Sequence, residues 1–421
     1  MPLWRDETTG LVSSQARLGR PLLATGFRRS YGDSCLNTGG ALLDMTSLAR
    51  IMAFDPSTRL LRAEAGASFD LMLQLIVPRG FFLPVVPGTR FVTLGGAIAN
   101  DVHGKNHHRN GTLGRWVKRL MLLRSDGQEI ELTPDDPTGL FQATIGGLGL
   151  TGIILWAEIE TIPIASSLIE VETIPFEGIG EFFRLAKDSE TGYEHNVAWI
   201  DCVAGGKNLG RGIFTRGNHA PSGPRDVTAR APKASVPCKL PGYVLNQHTM
   251  GAFNSLYFNV RKHRAGPDTV SMLSFFHPLD GVGHWNRIYG PRGMYQYQSI
   301  IPPASQEEAT CEMLKTISAS GQASFLAVLK TLGRLPSPGL LSFPREGTTL
   351  ALDFPNRGET TLRLMARLDE IVLKAGGRLY PAKDGRMPAR MFKAGYPDWD
   401  RFAPHIDPGV RSDFLARVTA T

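Results

Sequence analysis

Two glycine-broken stretches carry the residues in this sequence that are best suited to chemistry. Residues 26–34 read GFRRSYGDS, and residues 93–108 read TLGGAIANDVHGKNHH. Glycine lets the backbone turn tightly and leaves amides uncovered, so such stretches can approach a flat or phosphorylated ligand closely. The second stretch matches neither the G-x-G-x-x-G nor the Walker pattern, which disfavours a Rossmann domain and a phosphate-loop ATPase. Another type of dinucleotide site is indicated.

The first stretch follows the short apolar run PLLAT, where a strand is expected to end in a turn. Amides of such a loop can face a pyrophosphate, although an ordinary turn with an aspartate cap explains these residues about equally well. A third stretch, TIGGLGLTGII at residues 144–154, places glycines ahead of a strand and also fits a plain turn. Three such stretches in one chain favour a ligand site over unrelated turns.

The three histidines of the second stretch, His103, His107 and His108, suggest a metal centre at first sight. No cysteine lies near them, and no carboxylate stands at the helical spacing of an H-E-x-x-H motif. We therefore expect no metal ligands here and no metal cofactor.

Composition limits the partners and the compartment. The 46 Lys and Arg residues against 39 Asp and Glu residues give a net charge of +7, but the basic residues are scattered. We expect no nucleic-acid partner, whereas an anionic small ligand or an acidic membrane surface stays open. The four cysteines lie far apart, and neither a signal peptide nor an apolar run of membrane-spanning length is visible. We expect a cytoplasmic protein, with peripheral contact to a membrane as an open alternative.

The pattern of the chain predicts an α+β protein of more than one domain. Alternating apolar runs predict strands in ALLDMTSL, RLLRAEAG and TGIILWAEIE, and Asp126-Gly127 predicts a hairpin turn. Helical spacing predicts helices at 68–77 and at 359–375, the latter ended by Gly376-Gly377. The segment 216–243, rich in proline, glycine and basic residues, is a candidate lid.

Further motifs follow in the order FHPLDGVGHWNRIYGPRGMYQYQSIIP, SFLAVLK, LSFP and GGRLYPAKDGR. Together with the three glycine-broken stretches, they resemble the vanillyl-alcohol-oxidase-type flavoproteins over most of the chain. Within these, the sequence is most similar to the oxidase subunits of decaprenylphosphoryl-β-D-ribose 2-epimerases.

This resemblance implies a two-lobed FAD-binding domain of the vanillyl-alcohol-oxidase or PCMH type, with an inserted α+β substrate domain built on an antiparallel sheet. Residues 1–165 would form the N-terminal part of the FAD domain, residues 166–375 the substrate-binding domain, and residues 376–421 a segment that returns to the FAD domain. The family opens with a strand and a full helix, and because few residues precede Gly26, we expect either that this edge is short or that the start site is misassigned.

The family's flavin contacts carry over onto three parts of this chain. They are Ala24, Thr25, Gly26, Phe27, Arg28, Arg29, Ser30, Tyr31, Gly32, Asp33 and Ser34, then Gly88, Thr93, Leu94, Gly95, Gly96, Asn100, Asp101, Val102 and His103, and finally Ile154 and Tyr380. Many relatives tether FAD through a histidine in the first loop, where this chain has Tyr31. We therefore expect FAD to bind without a covalent link.

The activity implied by the resemblance is oxidation of the 2-hydroxyl of a polyprenyl-phosphoryl pentose, such as decaprenylphosphoryl-β-D-ribose, by hydride transfer to flavin N5. It would be the first half of a 2-epimerisation completed by a separate NAD-dependent short-chain reductase. His103 and Lys383 would be catalytic, either one serving as the base, and Lys105, Gln296, Gln298 and Lys330 would bind the substrate. Tyr380 and Lys383 would leave opposite faces of a strand, whereas a turn at Pro381 would bring both toward the flavin.

Two other classes of function compete with this hypothesis. One is an oxygen-dependent sugar or alditol oxidase that acts on a free polyol, and the other is a basic, non-catalytic protein that binds nucleic acid or metal. Trp285 and Tyr289 have the spacing of one helical face, and we expect core packing rather than a slot for an isoprenoid tail.

Overall fold

The structure of the protein is a computed structural model. It describes residues 1–227, 234–242 and 244–420 of the 421-residue chain. Strands and helices are mixed along the chain, as the sequence predicts.

The strands of the described residues are β1 Leu22–Thr25, β2 Ala41–Asp44, β3 Ile51–Asp55, β4 Leu60–Glu64, β5 Phe81–Phe82, β6 Val117–Leu123, β7 Glu129–Leu132, β8 Ile153–Glu160, β9 Ile162–Pro163, β10 Leu168–Phe176, β11 His195–Ile200, β12 Gly212–His219, β13 Ala234–Ser235, β14 Gly266–Ser271, β15 Val282–Gly283, β16 Met294–Ile301, β17 Ala327–Leu332, β18 Gly347–Pro355 and β19 Arg378–Leu379. The α-helices are α1 Arg5–Arg17, α2 Phe69–Ile76, α3 Leu94–Ala99, α4 His107–Asn110, α5 Leu140–Thr144, α6 Ile179–Ser189, α7 Gln247–His263, α8 Met272–Phe276, α9 Gln306–Ala319, α10 Glu359–Lys374, α11 Ala389–Gly395, α12 Trp399–Phe402 and α13 Asp413–Thr419. Short 3₁₀ helices lie at Val77–Arg79, Leu113–Trp116, Gly206–Asn208, Pro278–Gly281, Trp285–Tyr289 and Ala403–His405.

A five-stranded antiparallel sheet in the order β3-β4-β8-β6-β7 organises the first part of the chain. The central strand β8 confirms the predicted strand and is buried along almost its whole length. Helix α2 packs its apolar side chains into the same core, and the Ser68 hydroxyl caps it by accepting the amide of Leu71. The predicted hairpin at Asp126-Gly127 is confirmed, with Gly127 at a φ of 91°.

An eight-stranded antiparallel sheet in the order β14-β10-β12-β11-β17-β18-β16-β19 organises the rest. Helices α6, α9 and α10 share a large apolar core with it. Helix α10 confirms the predicted helix, and Gly376 follows it at a φ of 69°. Side chains alternate between the two faces of a strand. Residues next to the core-facing ones therefore point to the opposite face of this sheet, where they can line a ligand site.

The two chain ends meet at the first glycine-broken loop. Leu22 of β1 forms a bridge with Val410, and Arg417 of α13 is paired with Asp33 at 2.7 Å. Strand β19 begins three residues beyond the expected boundary at 375 and is hydrogen-bonded to β16 of the larger sheet. The expectation of a short N-terminal edge is wrong, because a 13-residue helix, α1, precedes β1.

The candidate lid at 216–243 is wrong at its start, since Arg216–His219 belong to β12 and pair with β10, and the first two of them also pair with β11. The next residues are also anchored, with the Pro224 carbonyl accepting the amide of Ser167 at 2.8 Å. Residues 228–233 and 243 of the predicted lid lie outside the described residues. No helix in the described part of the chain has the length and apolar content needed to cross a bilayer.

Candidate active site

A cavity of about 630 Å³ brings together the three glycine-broken stretches, strands β16, β17 and β18, and the turn after β19. Its volume lies within the range of roughly 300–1,000 Å³ that is usual for ligand and cofactor sites. Predicted residues that line it are Ala24, Thr25, Gly26, Phe27, Arg28, Arg29, Ser30, Tyr31, Ser34, Gly88, Thr93, Gly95, Gly96, Asn100, Val102, His103, Ile154, Gln296, Gln298, Lys330, Tyr380 and Lys383.

The first loop reaches this cavity because two glycines permit close packing. A Cβ atom on Gly26 would lie 2.2 Å from the Thr93 hydroxyl oxygen, and one on Gly32 would lie 1.7 Å from the Asp384 carbonyl oxygen. The Tyr31 amide also donates to the Ala382 carbonyl at 3.1 Å. The loop is therefore held between the start of α3 and the turn that carries Lys383.

Five predicted residues do not line the cavity, and each has a structural role instead. Gly32 and Asp33 join the first loop to the C-terminal segment, as described above. Leu94 is fully buried in the core of the first part of the chain. Asp101 accepts the Gly114 amide and the Ser342 hydroxyl, and the Lys105 ammonium donates to the Phe275 carbonyl.

Backbone strain is concentrated around the cavity. In the described residues, five non-glycine residues have positive φ, and three of them, Arg28, Leu148 and His284, line it at φ values of 53°, 57° and 52°. Such conformations cost about 1–3 kcal/mol each and are typical of ligand-binding loops. The third glycine-broken stretch thus contributes to the site through Leu148.

His103 lies deep in the cavity wall, between the rings of Phe343 and Tyr380 at centroid distances of 5.8 and 5.7 Å. Its Nε2 atom lies 3.3 Å from the side-chain amide nitrogen of Gln298, which also donates to the Thr349 hydroxyl. Burial, reinforced by the charge of Lys330, holds the pKa of His103 well below its usual value. The ring is therefore neutral at neutral pH.

Three lysines place positive charge on one side of the cavity. Burial lowers the pKa of Lys383 to about 8, and the nearby carboxylate of Asp353 partly opposes this shift. Burial and the charge of Lys383 lower the pKa of Lys330 to about 8, while burial and the charge of Lys330 lower the pKa of Lys105 to about 7. Buried lysines that lie close to one another in this way are suited to bind an anion.

The turn at Pro381 brings Tyr380 and Lys383 to the same side. Strand β19 ends at Leu379, and the Lys383 amide then donates to the Tyr380 carbonyl at 3.0 Å. Both side chains line the cavity, and the Tyr380 hydroxyl donates to the Asn100 carbonyl at 3.0 Å. The sequence allowed either a strand that places these two side chains on opposite faces or a turn that brings them together, and the structure contains the turn.

Sequence reasoning missed several residues. Trp285 packs against the core as expected, but it also lines the cavity, with its ring centroid 6.5 Å from that of Tyr31, whereas Tyr289 is buried as expected. Asp353 faces Gln296 across β16 and β18 and accepts its side-chain amide at 2.6 Å. In the strand sequence ALDFP, the alternation of side chains between the two faces could have indicated that Asp353 faces the site. Its partner, Gln296, is identified only by the pairing of β16 with β18. Other lining residues that were not predicted are Cys35, Met45, Ala65, Pro87, Thr89, Phe91, Val92, Ala97, Ala99, Leu148, Gly149, Gly152, Leu279, Asp280, Val282, Gly283, His284, Asn286, Leu326, Val328, Ala351 and Ala382.

The lining suits a large cofactor with both apolar and polar parts. Four buried polar atoms of lining residues, Thr25 Oγ1, Asn100 Oδ1, His103 Nδ1 and Gln296 Oε1, have no protein partner among the described residues. Buried polar atoms nearly always find a partner, so these atoms call for a ligand. Gly88 and Gly149 leave open space beside the backbone, which allows a ring system or a diphosphate to approach closely.

Comparisons with known proteins agree with this geometry. The model of the FAD binding domain family matches residues 6–133. Decaprenylphosphoryl-β-D-ribose oxidase from Mycolicibacterium smegmatis is 39% identical, over 95% of this chain and 89% of the relative. An uncharacterized protein in the mprA 5′ region of Streptomyces coelicolor is 32% identical, over 82% of this chain and 98% of that protein. D-arabinono-1,4-lactone oxidase from Yarrowia lipolytica is 23% identical, over 41% of this chain and 33% of the length of that oxidase.

A cavity built from the matched flavin loops and an alignment that spans nearly the whole of both chains lead to the same conclusion: the chain belongs to the decaprenylphosphoryl-β-D-ribose oxidase family of FAD-dependent oxidoreductases.

Proposed function

We propose that the protein oxidises the 2-hydroxyl group of a polyprenyl-phosphoryl pentose such as decaprenylphosphoryl-β-D-ribose, as the first half of a 2-epimerisation. The mycobacterial relative is named as an oxidase of this compound. The observation that carries the proposal is the convergence of His103, Gln298, Lys330 and Lys383 on one cavity with both charged and apolar walls.

The lysines favour a substrate that carries a phosphate. Lys330 and Lys383 line the cavity, and Lys105 adds its charge from behind the wall. A bound phosphate would stabilise the ammonium forms of Lys330 and Lys105 and offset the repulsion between them. A free polyol supplies no such charge, so the lysine cluster favours the phosphorylated substrate over the alternative of a polyol oxidase.

The apolar part of the lining favours a prenyl tail. Leu279, Val282, Trp285, Leu326 and Val328 all contribute to the lining. Aliphatic and aromatic side chains bury prenyl units favourably, by about 25 cal/mol per Å² of apolar surface removed from water. Gln296 and Gln298, whose amides are fixed by Asp353 and Thr349, line the same cavity and are suited to contact the sugar hydroxyls.

Lys383 is proposed to accept the hydroxyl proton. A general base works best when its pKa lies near the operating pH, and the pKa of Lys383 is about 8, whereas that of His103 is well below its usual value. His103, neutral and held by Gln298, would orient the hydroxyl group through a hydrogen bond. Both residues remain assigned to the chemistry, with distinct roles.

FAD, when bound, supplies the acceptor for the hydride that leaves the sugar carbon. The first loop and the stretch around α3 would hold it, with Thr25 and Asn100 providing hydrogen-bonding atoms. We propose that the link is non-covalent, because the first loop carries Tyr31 and burial raises the pKa of the nearby Cys35 thiol, which keeps it from acting as a thiolate. The keto product would pass to a separate NAD-dependent short-chain reductase.

Residues 166–375 are proposed to form the substrate-binding domain, inserted between the two parts of the FAD domain. Support comes from the larger sheet, whose strands β16 and β17 carry Gln296, Gln298 and Lys330. The remaining walls come mainly from residues before 165 and after 376.

Anaerobic bleaching of the flavin tests the substrate class. The holoprotein would be mixed with a short-chain prenyl-phosphoryl ribose, with ribose 5-phosphate and with a free alditol. We expect rapid bleaching with the prenyl-phosphoryl ribose. Bleaching by ribose 5-phosphate, which lacks the prenyl-phosphoryl group, should be at least about 100-fold slower, and the alditol should cause none. Faster bleaching by the alditol would favour the polyol oxidase, and a purified protein without flavin absorbance would contradict both enzymes.

We also propose peripheral contact with an anionic membrane surface through α7. Phe253, Leu256 and Val260 lie on one face of this helix and are 42%, 65% and 41% exposed, and the last turn carries Arg261 and Lys262. An exposed apolar stripe beside basic residues fits the boundary between acyl chains and anionic headgroups. Leu256→Glu should abolish sedimentation with phosphatidylglycerol vesicles, whereas Leu36→Glu, an exposed leucine elsewhere, should not. Equal sedimentation of both variants would contradict this contact.

A further inference from the structure

A second cluster of chemically capable residues lies outside the active-site cavity, at the end of the larger sheet where β10, β11 and β12 meet. It consists of Glu194, His195 and His219. One potential ligand atom from each lies within 4.8 Å of those from the other two. Nothing in the proposed function uses these residues.

Strand register brings the two imidazoles together. His195 on β11 pairs with Gly217 on β12, and His219 lies two residues further along β12, so both rings point from the same face as diagonal neighbours. The ring centroids are 5.8 Å apart, with the planes at 72°. Gly217 offers no side chain of its own that would separate the rings.

The free ring nitrogens are the observation that points to a ligand. His195 is only 3% exposed, and neither of its ring nitrogens has a hydrogen bond within the described residues. Its Nε2 lies 3.4 Å from a carboxylate oxygen of Glu194. His219 contacts the Ser166 carbonyl through Nδ1 at 3.2 Å, which leaves its buried Nε2 without a partner. A ring nitrogen fixed by a carbonyl, with the other left free, is the usual arrangement of a metal-bound histidine.

We propose that Glu194, His195 and His219 bind one divalent transition-metal ion, with zinc as the ion that best suits two imidazoles and one carboxylate. Zinc holds such ligands at about 2.0–2.2 Å, so the three groups must draw together by about 1 Å when the ion enters. A separate cavity of about 150 Å³, lined partly by Glu194, His195 and Asn106, has room for water as a fourth ligand.

The surrounding charges select among ions. Glu194 brings one negative charge, while Arg109 lines the small cavity and donates to the Thr191 carbonyl. One carboxylate beside a cation is a poor site for calcium or magnesium, which need several oxygen ligands. Imidazole nitrogens retain affinity for zinc under the same conditions.

The position of the cluster suggests a structural effect on the active site. The His195 ring contacts Phe275 and Phe276 at centroid distances of 5.8 and 4.8 Å, and the Lys105 ammonium lies 4.4 Å from the centroid of Phe275. The Asn196 amide donates to the Lys105 carbonyl at 2.9 Å. An ion bound here would stiffen the wall behind Lys105 without entering the cavity.

Metal content and zinc titration test the site on tag-free holoprotein. After dialysis against a chelator, we expect the protein to take up one zinc per chain and its melting temperature to rise on zinc addition. Cobalt(II) should bind at the same stoichiometry and give absorption bands at longer wavelengths than those of the flavin. A holoprotein that binds no stoichiometric zinc would overturn the proposal.

Variants distinguish this cluster from other histidines. Glu194→Gln and His219→Gln change partly exposed residues and should fold and retain FAD, but should bind zinc at least 10-fold more weakly. Glu190→Gln and His248→Gln are matched changes outside the cluster and should bind zinc as the wild type does. Zinc affinity that is unchanged in both cluster variants would show that the ion binds elsewhere and would refute the assignment.

Discussion

The ammonium of Lys383 lies 4.4 Å from the centroid of the Tyr31 ring. These residues are far apart in sequence, and the contact joins the first loop to the turn after β19. A cation over an aromatic face is stabilised by about 0.5–2 kcal/mol. The contact therefore fixes the position of the proposed base relative to the loop that would hold the flavin.

Replacement of this lysine tests its role directly. Lys383→Ala should slow substrate-driven bleaching by about 100-fold to 10,000-fold, because the proton acceptor is lost. Part of the loss is expected as weaker FAD retention, since the cation and its contact with Tyr31 disappear together. Lys393→Ala removes an exposed lysine of α11 and should bleach as the wild type does. Wild-type bleaching by the Lys383 variant would refute the assignment.

The pH dependence of bleaching follows from the pKa of about 8 for Lys383. A base must be deprotonated, so the rate should fall as the pH drops below about 8. Asp353 raises the pKa of Lys383, so its removal in Asp353→Asn should lower that pKa and move the acid limb to lower pH. A rate loss without this displacement would indicate a purely structural effect of Asp353. Asp268→Asn, on the edge strand β14, is the control and should leave the profile unchanged.

Release of the cofactor tests the proposed non-covalent link. When the holoprotein is precipitated with acid or heat, all of the flavin should stay in the supernatant, because Tyr31 offers no nucleophilic nitrogen to the isoalloxazine methyl group. Fluorescence of the supernatant and of the redissolved pellet measures the division. Flavin that remains with the pellet would identify a covalent link, and peptide mapping would then locate it.

Packing of the first loop is tested by a glycine substitution. Gly32→Ala would place a methyl group 1.7 Å from the Asp384 carbonyl oxygen, a backbone atom that cannot move aside cheaply. We expect a lower melting temperature and weaker FAD retention. Gly10→Ala, in α1 with open space around it, should instead stabilise the protein by about 0.5–1 kcal/mol. A Gly32→Ala variant as stable as the wild type would contradict the close packing.

Local patterns in the sequence determined α2, the hairpin at Asp126-Gly127, β8 and α10. Each of these elements depends on residues close together in the chain, such as a cap, a turn dipeptide or an apolar repeat, so the sequence alone carries the signal. Motif order also determined the family, the cofactor and about half of the cavity lining, because those residues lie within contiguous stretches.

Tertiary structure alone decided how distant segments meet. Asp33 with Arg417, Gln296 with Asp353, and His195 with His219 are brought together by strand register or chain-end packing, which local sequence does not encode. For the same reason the contribution of Trp285 to the cavity was not predicted, because helical spacing identifies an apolar face but not everything that the face contacts. For Lys383 the sequence and the tertiary structure each determined a part. The sequence motif identified the residue as catalytic, whereas the turn after β19 that positions it and the burial that lowers its pKa depend on the folded chain.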